Sequence, residues 1–441
     1  MRLRFGRHAV DLDWIPLLIF VLLAMGNEDL LIMAIKGPSD ADAPAEEGPG
    51  KILTAIALTL TFVRWKQLSP FLRNLFLALH VVIFFMVLES FYRSGSPLQY
   101  PHVFSKVFIL YFTMAIYTFI HGAKEWVPKA FMFIITGLFL FDLLVYNSDI
   151  LSISAFMAVE RGFSSYSTHF LLLPFLFFFN RYLTTRNFGW LMLFFMMGGF
   201  IVFLNHRSVW LAAIIAVVLN ALYLTNKGRD KIPLPTFTPI FVIPFIAISL
   251  ITSYVLADNP ELVKNLQERI DDISNAEEQG TGKWRLEQFK SYLPFILDHP
   301  FTGMRFEGYE LPNQFISEKS GKSTFDDATG HHFHSYYVDI LFYGGLAGLA
   351  LLMAPIIYLL RRAWTATTGL GGDAVAFVAF CGSGLVYGTS YLLDFYFWGV
   401  LGGALAVLDN DIERQQLIDY EAEMINYQRQ QVYLAEEAEL P

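Results

Sequence analysis

The chain has 441 residues, of which 55 % are apolar and only 16 % charged, with 43 phenylalanines and a net charge of −9. A soluble chain carries about a quarter charged residues, so a single water-soluble core is excluded, and the acidic balance speaks against a nucleic-acid partner. The lone Cys381 lies in an apolar segment and leaves no intrachain disulfide.

Apolar runs close to the ~20 residues needed to cross a hydrocarbon core recur along the sequence. The first follows Arg2, Arg4 and Arg7, as in a signal peptide, but Asn27-Glu28-Asp29 stands where a cleavage site belongs. It reads as a retained helix over 14–35. Further spans are predicted over 52–64, 71–91, 103–121, 127–146, 167–183, 187–205, 208–225, 236–257, 333–360, 374–392 and 395–408. The expected fold is an all-α polytopic membrane protein with about twelve transmembrane helices. Helices one to nine occupy 1–257, a partly helical loop domain 258–331, helices ten to twelve 332–408, and an acidic tail 409–441. In the loop, Glu261 to Ser274 and Trp284 to Leu297 read as helices; the tail reads as a solvated helix or a partner contact.

Basic residues set the orientation. Arg64, Lys66, Lys124, Lys129, Arg181, Arg186, Lys227, Arg229, Lys231, Arg361 and Arg362 all fall in alternate short loops. Those loops, and both termini, are expected to be cytoplasmic, which places the large loop on the outer face. Ionisable residues inside spans are costly and mark function by default. Here they gather toward the outer half: Glu89, Lys106, Asp142, Arg161, His169, His206, Arg207, His334, Asp339 and Asp394. The expectation is a polar cavity open to that face; the alternative is that such groups merely pair, Asp142 with Lys106 for example.

Three segments carry chemistry. LNHRSVWLA at 204–212 holds His206 and Arg207 at a membrane boundary. GTGKWRLEQFKSYLPFILDHPFTGM at 280–304 holds Trp284, Arg285 and His299-Pro300, followed by Gly303. HFHSYYVDILFYGGLAGLALL at 332–352 starts a membrane helix at His334, with Asp339 in its first turn and Gly344, Gly345 and Gly348 along one stretch. Order and spacing resemble the bacterial O-antigen ligase and Wzy-type polymerase superfamily. Its pattern includes a His-Arg step, a loop Arg with His-Pro-x-x-Gly, and a His-Ser separated by nine residues from a Gly, here Gly345. The resemblance covers roughly 160–360 and implies a GT-C-like glycosyltransferase of the inner membrane with a periplasmic site. It also implies an undecaprenyl-pyrophosphate-linked glycan donor, an acceptor glycan, inversion at the anomeric carbon, and a possible chain-length regulator as partner. Ligases of the family often carry a polar residue four positions after the Gly, where this chain has Leu349. That departure tilts the reading toward a polymerase, with a ligase onto lipid A-core as the alternative and a lipid-linked glycan flippase as the reading from another class.

Elementary chemistry points the same way. A pyrophosphate needs cations, and the planar fork of arginine binds it better than lysine. Arg207, Arg285 and Arg161 lie on the face poor in basic residues, so topology does not account for them. An acceptor hydroxyl needs a base with a pKa near the working pH, for which His334 is suited; His206, Asp339, Trp284 and His299 are expected to support it. The bland alternatives are a helix cap at His334, a snorkelling Arg207, and an Arg285 ion pair with Glu287 or Asp298. No metal or cofactor is expected. His331, His332 and His334 with Asp326 and Asp327 fit no standard zinc spacing, and Asp40 and Asp42 sit in a Pro/Gly/acid stretch that offers nothing to organise an ion.

Overall fold

Helix signals in this chain are local and strong. Ser69-Pro70 opens a helix because the serine oxygen accepts from the Leu72 amide and proline needs no amide partner in a first turn; Gly95, at φ 71°, closes it. The structure, a computed structural model, describes residues 2–5, 8–11, 15–18, 48–145, 147–152, 155, 163–238, 240, 246, 280–314, 331 and 333–438. These are helical apart from short turns, loops and a hairpin of β1 (Arg2–Phe5) and β2 (His8–Asp11), an addition to the all-α expectation.

The helices are α1 (Gly48–Val63), α2 (Pro70–Ser94), α3 (Pro101–Phe108), α4 (Leu110–Ile120), α5 (Trp126–Val145), α6 (Ser165–Phe170) and α7 (Leu172–Thr185). They continue with α8 (Phe188–Phe203), α9 (Arg207–Asn226), α10 (Gly280–Asp298), α11 (Arg305–Glu310), α12 (Tyr336–Trp364), α13 (Gly372–Tyr387) and α14 (Phe395–Ala438). Among the described residues, five are long and apolar enough to cross a membrane: α2, α3 with α4, α5, α9 and α12. Shorter apolar helices are Thr54–Val63, α8 and α13. The chain is a multi-pass membrane protein. The expected spans 14–35 and 236–257 fall mostly outside the described residues, as does the stretch Glu261 to Ser274.

Burial follows from the lipid setting. Leu77, Val81, Phe84, Phe85, Leu88 and Phe91 on α2, and Leu211, Ile214, Val218 and Leu222 on α9, are exposed, a belt that only hydrocarbon accommodates. The centre is α13, buried from Ala374 to Gly384, with α4, α9 and α14 packed around it or one another. Its small residues let backbones approach closely. Polar clamps tie this core: Asn180 and Asn220 exchange hydrogen bonds of 2.9 and 2.7 Å, and Asn180 Nδ2 donates to the Gly372 carbonyl at 2.7 Å. At the end of the bundle holding Arg64 and Arg362, cations are spent on ion pairs: Arg181 with Asp373, Arg229 with Asp411, and Arg414 with Glu125. The last helix runs through position 409, where charge marks the start of the tail, without a break.

At the other end, a loop segment docks onto a broken helix. α12 leaves helical geometry at Gly345, with φ 59° and ψ −160°. The break frees backbone groups that lipid cannot satisfy, and the turn after His299-Pro300 supplies partners. Met304 N–H donates to the Phe342 carbonyl (2.7 Å), while Leu346 and Ala347 donate to the carbonyls of Pro300 (2.9 Å) and Phe301 (3.0 Å). Gly303, at φ 66°, lies so close that a Cβ there would sit 2.5 Å from the Tyr343 backbone, and one on Gly345 would sit 2.5 Å from Gly303 N. The two glycine motifs of the sequence are thus one backbone-to-backbone joint. A second apolar core under it, including Phe104, Tyr292, Phe306, Phe333 and Phe342, holds α10 and α11 against α3 and α12.

Gly345→Ala should therefore cost at least about 2 kcal/mol through strain and overlap and lower the unfolding temperature of the purified protein in detergent. Gly344→Ala, next to it but with open space around its Cβ position, should be neutral or slightly stabilising.

Candidate functional site

Above the joint, α12 begins at a cavity that mixes ionisable and apolar side chains. Ser335 is the N-cap residue of α12, whose first amide, Tyr336 N–H, donates to the Gly388 carbonyl at the end of α13 (3.0 Å). An acid in a first helical turn is favoured by the helix dipole, and Asp339 occupies that turn. It is buried, and Lys106 of α3 reaches both its oxygens, at 2.6 and 2.8 Å. The ammonium also lies 4.5 Å from the centre of the Tyr343 ring. Lys106 pairs with Asp339, not with Asp142; Asp142 instead accepts from the Asn147 side chain at 3.3 Å.

The cavity measures about 510 Å³ and is lined by His334, Asp339, Lys106, Ser165, Tyr336 and Tyr391 among others. Tyr336 is buried, and its hydroxyl has no hydrogen-bond partner among the described residues. His334 stands at the edge, its backbone amide 3.5 Å from the Gln288 side-chain oxygen of α10. Although its side chain reaches solvent, the surrounding protein disfavours the imidazolium, and the nearby Arg285 charge disfavours it further; both hold its pKa below the ordinary value. The Arg285 guanidinium lies 5.2 Å from the centre of the ring of Tyr391, a residue of the cavity lining. It makes no ion pair with Glu287 or Asp298 among the described residues. His334 thus lines the cavity, while the Arg285 guanidinium stands against Tyr391, near enough for its charge to act on the imidazole.

A second, apolar groove of about 340 Å³ lies between α2, α3 and α12 and shares Lys106 and Ile340 with the cavity. Glu89 and Arg305 line it too and pair at 2.9 Å. Arg93 joins them by contacting Glu89 at 3.7 Å and bonding Glu307. This cluster was not legible as a unit, since Glu89 and Arg305 lie 216 positions apart.

Of the residues singled out from sequence, the structure brings His334 and Asp339 into one cavity lining, with Arg285 beside His334 and against Tyr391. Arg207 begins α9, half-buried at the same end of the bundle, and does not line the cavity. His206 is buried, with Nε2 2.8 Å from the Phe163 carbonyl. His299 belongs to the docking turn, where its carbonyl accepts from Gly303 at 2.9 Å. Trp284 lies on α10 in the same turn as Arg285. Arg161, Asp40, Asp42, Asp326, Asp327 and His332 lie outside the described residues. His331 is structural: its Nε2 faces the Leu311 carbonyl at 2.7 Å and must donate to it, and its Nδ1 meets the Tyr292 hydroxyl at 2.8 Å. Sequence reading missed Tyr336, Tyr387 and Tyr391 as cavity walls. Beneath them His169 stacks on Tyr387 at 4.3 Å and contacts Ser383 at 3.2 Å.

Removing one partner of a buried ion pair leaves a charge without compensation, which costs about 3–5 kcal/mol. Lys106→Met and Asp339→Leu should each destabilise the detergent-solubilised protein on that scale, while the double substitution should lose much less than their sum in an unfolding titration.

No curated protein matches the chain. A family model described as O-antigen ligase matches residues 192–353, a stretch that runs from α8 through the loop and past the break in α12. Over residues 192–353 the chain is therefore similar to the O-antigen ligase family, which supports the resemblance read from the sequence.

Proposed function

We propose that the protein is a metal-independent, inverting glycosyltransferase that polymerises polyprenyl-pyrophosphate-linked repeat units at the periplasmic face of the inner membrane. The observation that carries it is His334 in the lining of the cavity, with the Arg285 charge acting on it from behind Tyr391 and an apolar groove on the other side of Lys106 and Ile340. In this reading the groove takes the start of the prenyl chain and the cavity the reacting sugars. His334 removes the acceptor hydroxyl proton as that oxygen attacks the anomeric carbon. The carbon–oxygen bond to pyrophosphate breaks, and the departing polyprenyl pyrophosphate, which carries away the bonding electron pair, is met by Arg285, with Arg207 and Arg161 assigned to the same lipid head. Pyrophosphate departs without a general acid, and one displacement inverts configuration. The bias of basic loops supports cytoplasmic termini and an outward cavity.

Leu349 supports polymerisation over ligation; it is apolar and packs on the core of the bundle. The ligase reading has the family description in its favour. The glycolipids of a deletion strain distinguish them. Single repeat units on the carrier are expected for a polymerase; full-length polymer on the carrier means a ligase; an unchanged profile overturns both.

A base held below the ordinary histidine pKa of about 6.5 is neutral through most of the neutral range, so turnover should fall only as pH drops below that value. Arg285→Gln removes a repelling charge and should move this acid limb to higher pH. Arg285→Lys keeps the charge and so should leave the limb in place while lowering turnover roughly tenfold or more, because the bidentate fork is lost. Initial rates of coupling by purified protein across pH, with chelator present, check both outcomes.

A further inference from the structure

The end of α14 carries a pattern that the catalytic reading does not use. From Leu417 the sequence repeats every seven residues: LIDYEAE, MINYQRQ, QVYLAEE. Leu417, Tyr420, Met424 and Tyr427 fall at alternating spacings of three and four, and Gln431 and Leu434 continue the series. This is the a/d seam of a coiled coil, with an apolar b row of Ile418, Ile425 and Val432 beside it. In the monomer the seam has nothing over it: Leu417, Tyr420, Met424 and Tyr427 are 58, 59, 41 and 59 % exposed. An exposed stripe of this kind on a helix otherwise rich in Glu, Gln and Asp calls for a partner helix of the same period.

We infer that this helix forms a parallel, in-register coiled coil with the same helix of a second copy of the chain. Three features select that occupant. First, α14 runs unbroken from the buried core of the bundle to Ala438. Copies in one membrane therefore project it in the same direction with the repeat beginning at the same height, which imposes parallel alignment and raises the effective concentration. Second, charge fits the parallel register. Facing g and e positions pair Gln416 with Glu421 of the second copy and Glu423 with Gln428, so every acid meets an amide and none meets an acid. Third, the four described seam residues present on the order of 400 Å² per helix, and the continuing repeat brings two copies to the ~1,000 Å² that a specific interface needs.

The test uses full-length protein in lipid nanodiscs and in native membranes. Mass determination of the reconstituted wild type should give an oligomer, and Leu417→Glu with Met424→Glu should give a monomer that keeps the wild-type unfolding temperature of the membrane bundle. Cys381 is buried, so single cysteines can be added without removing it. Mild oxidation should link Tyr420→Cys into a dimer on a gel, whereas Ala422→Cys, on the opposite face, should stay at least tenfold less linked. A monomeric wild type, an oligomer indifferent to the two glutamates, or equal linking at both positions would overturn the inference.

Discussion

A helix that breaks inside a membrane must find new partners for the hydrogen bonds it gives up, because lipid offers none. In this protein α12 breaks at Gly345, and the turn between His299 and Met304 answers amide for carbonyl. The rest of the site depends on that exchange. It anchors the described part of the large loop to α12, which starts beside the cavity. The anchored turn ends α10, and α10 carries Arg285 to the wall where Tyr391 and His334 stand. The glycines at 303 and 345 are there because two backbones approach too closely for any Cβ.

Electrostatics then divides the polar groups by task. The Lys106–Asp339 pair is buried and mutually satisfied, so it shapes the wall between cavity and groove without offering a free charge. Such pairs are seldom a net source of stability, but losing half of one is expensive. Arg285, by contrast, rests on an aromatic face and keeps its hydrogen-bonding fork unspent on carboxylates among the described residues. Its charge and the crowding around His334 act in the same direction, toward a neutral imidazole. An imidazole kept neutral, a guanidinium free of carboxylate partners among the described residues and a nearby apolar groove are the set on which the proposed transfer from a lipid-linked phosphate donor rests.

The three neighbouring histidines illustrate how little spacing alone decides. His331 and His334 are three positions apart. The first is consumed by Tyr292 and the Leu311 carbonyl, and the second faces the cavity. Similarly, Arg207 looked equivalent to Arg285 as a cation on the face poor in base; neither lines the cavity, but Arg285 stacks on Tyr391, which does.

By itself, the sequence determined the membrane setting, the positions of the five described helices long and apolar enough to cross it, though not the expected count of about twelve, the helix that carries Arg285, and the glycine spacing of the motif. These depend on apolar run length, helix caps and backbone conformation, which are properties of neighbouring residues. Even the coiled-coil seam is written in the order of the tail. Tertiary structure alone decided that Lys106 meets Asp339, 233 positions away, that Glu89 meets Arg305, and that the two glycine motifs are halves of one joint. Those pairings follow from which helices lie side by side, and side-chain packing across a whole bundle is not encoded in any local window.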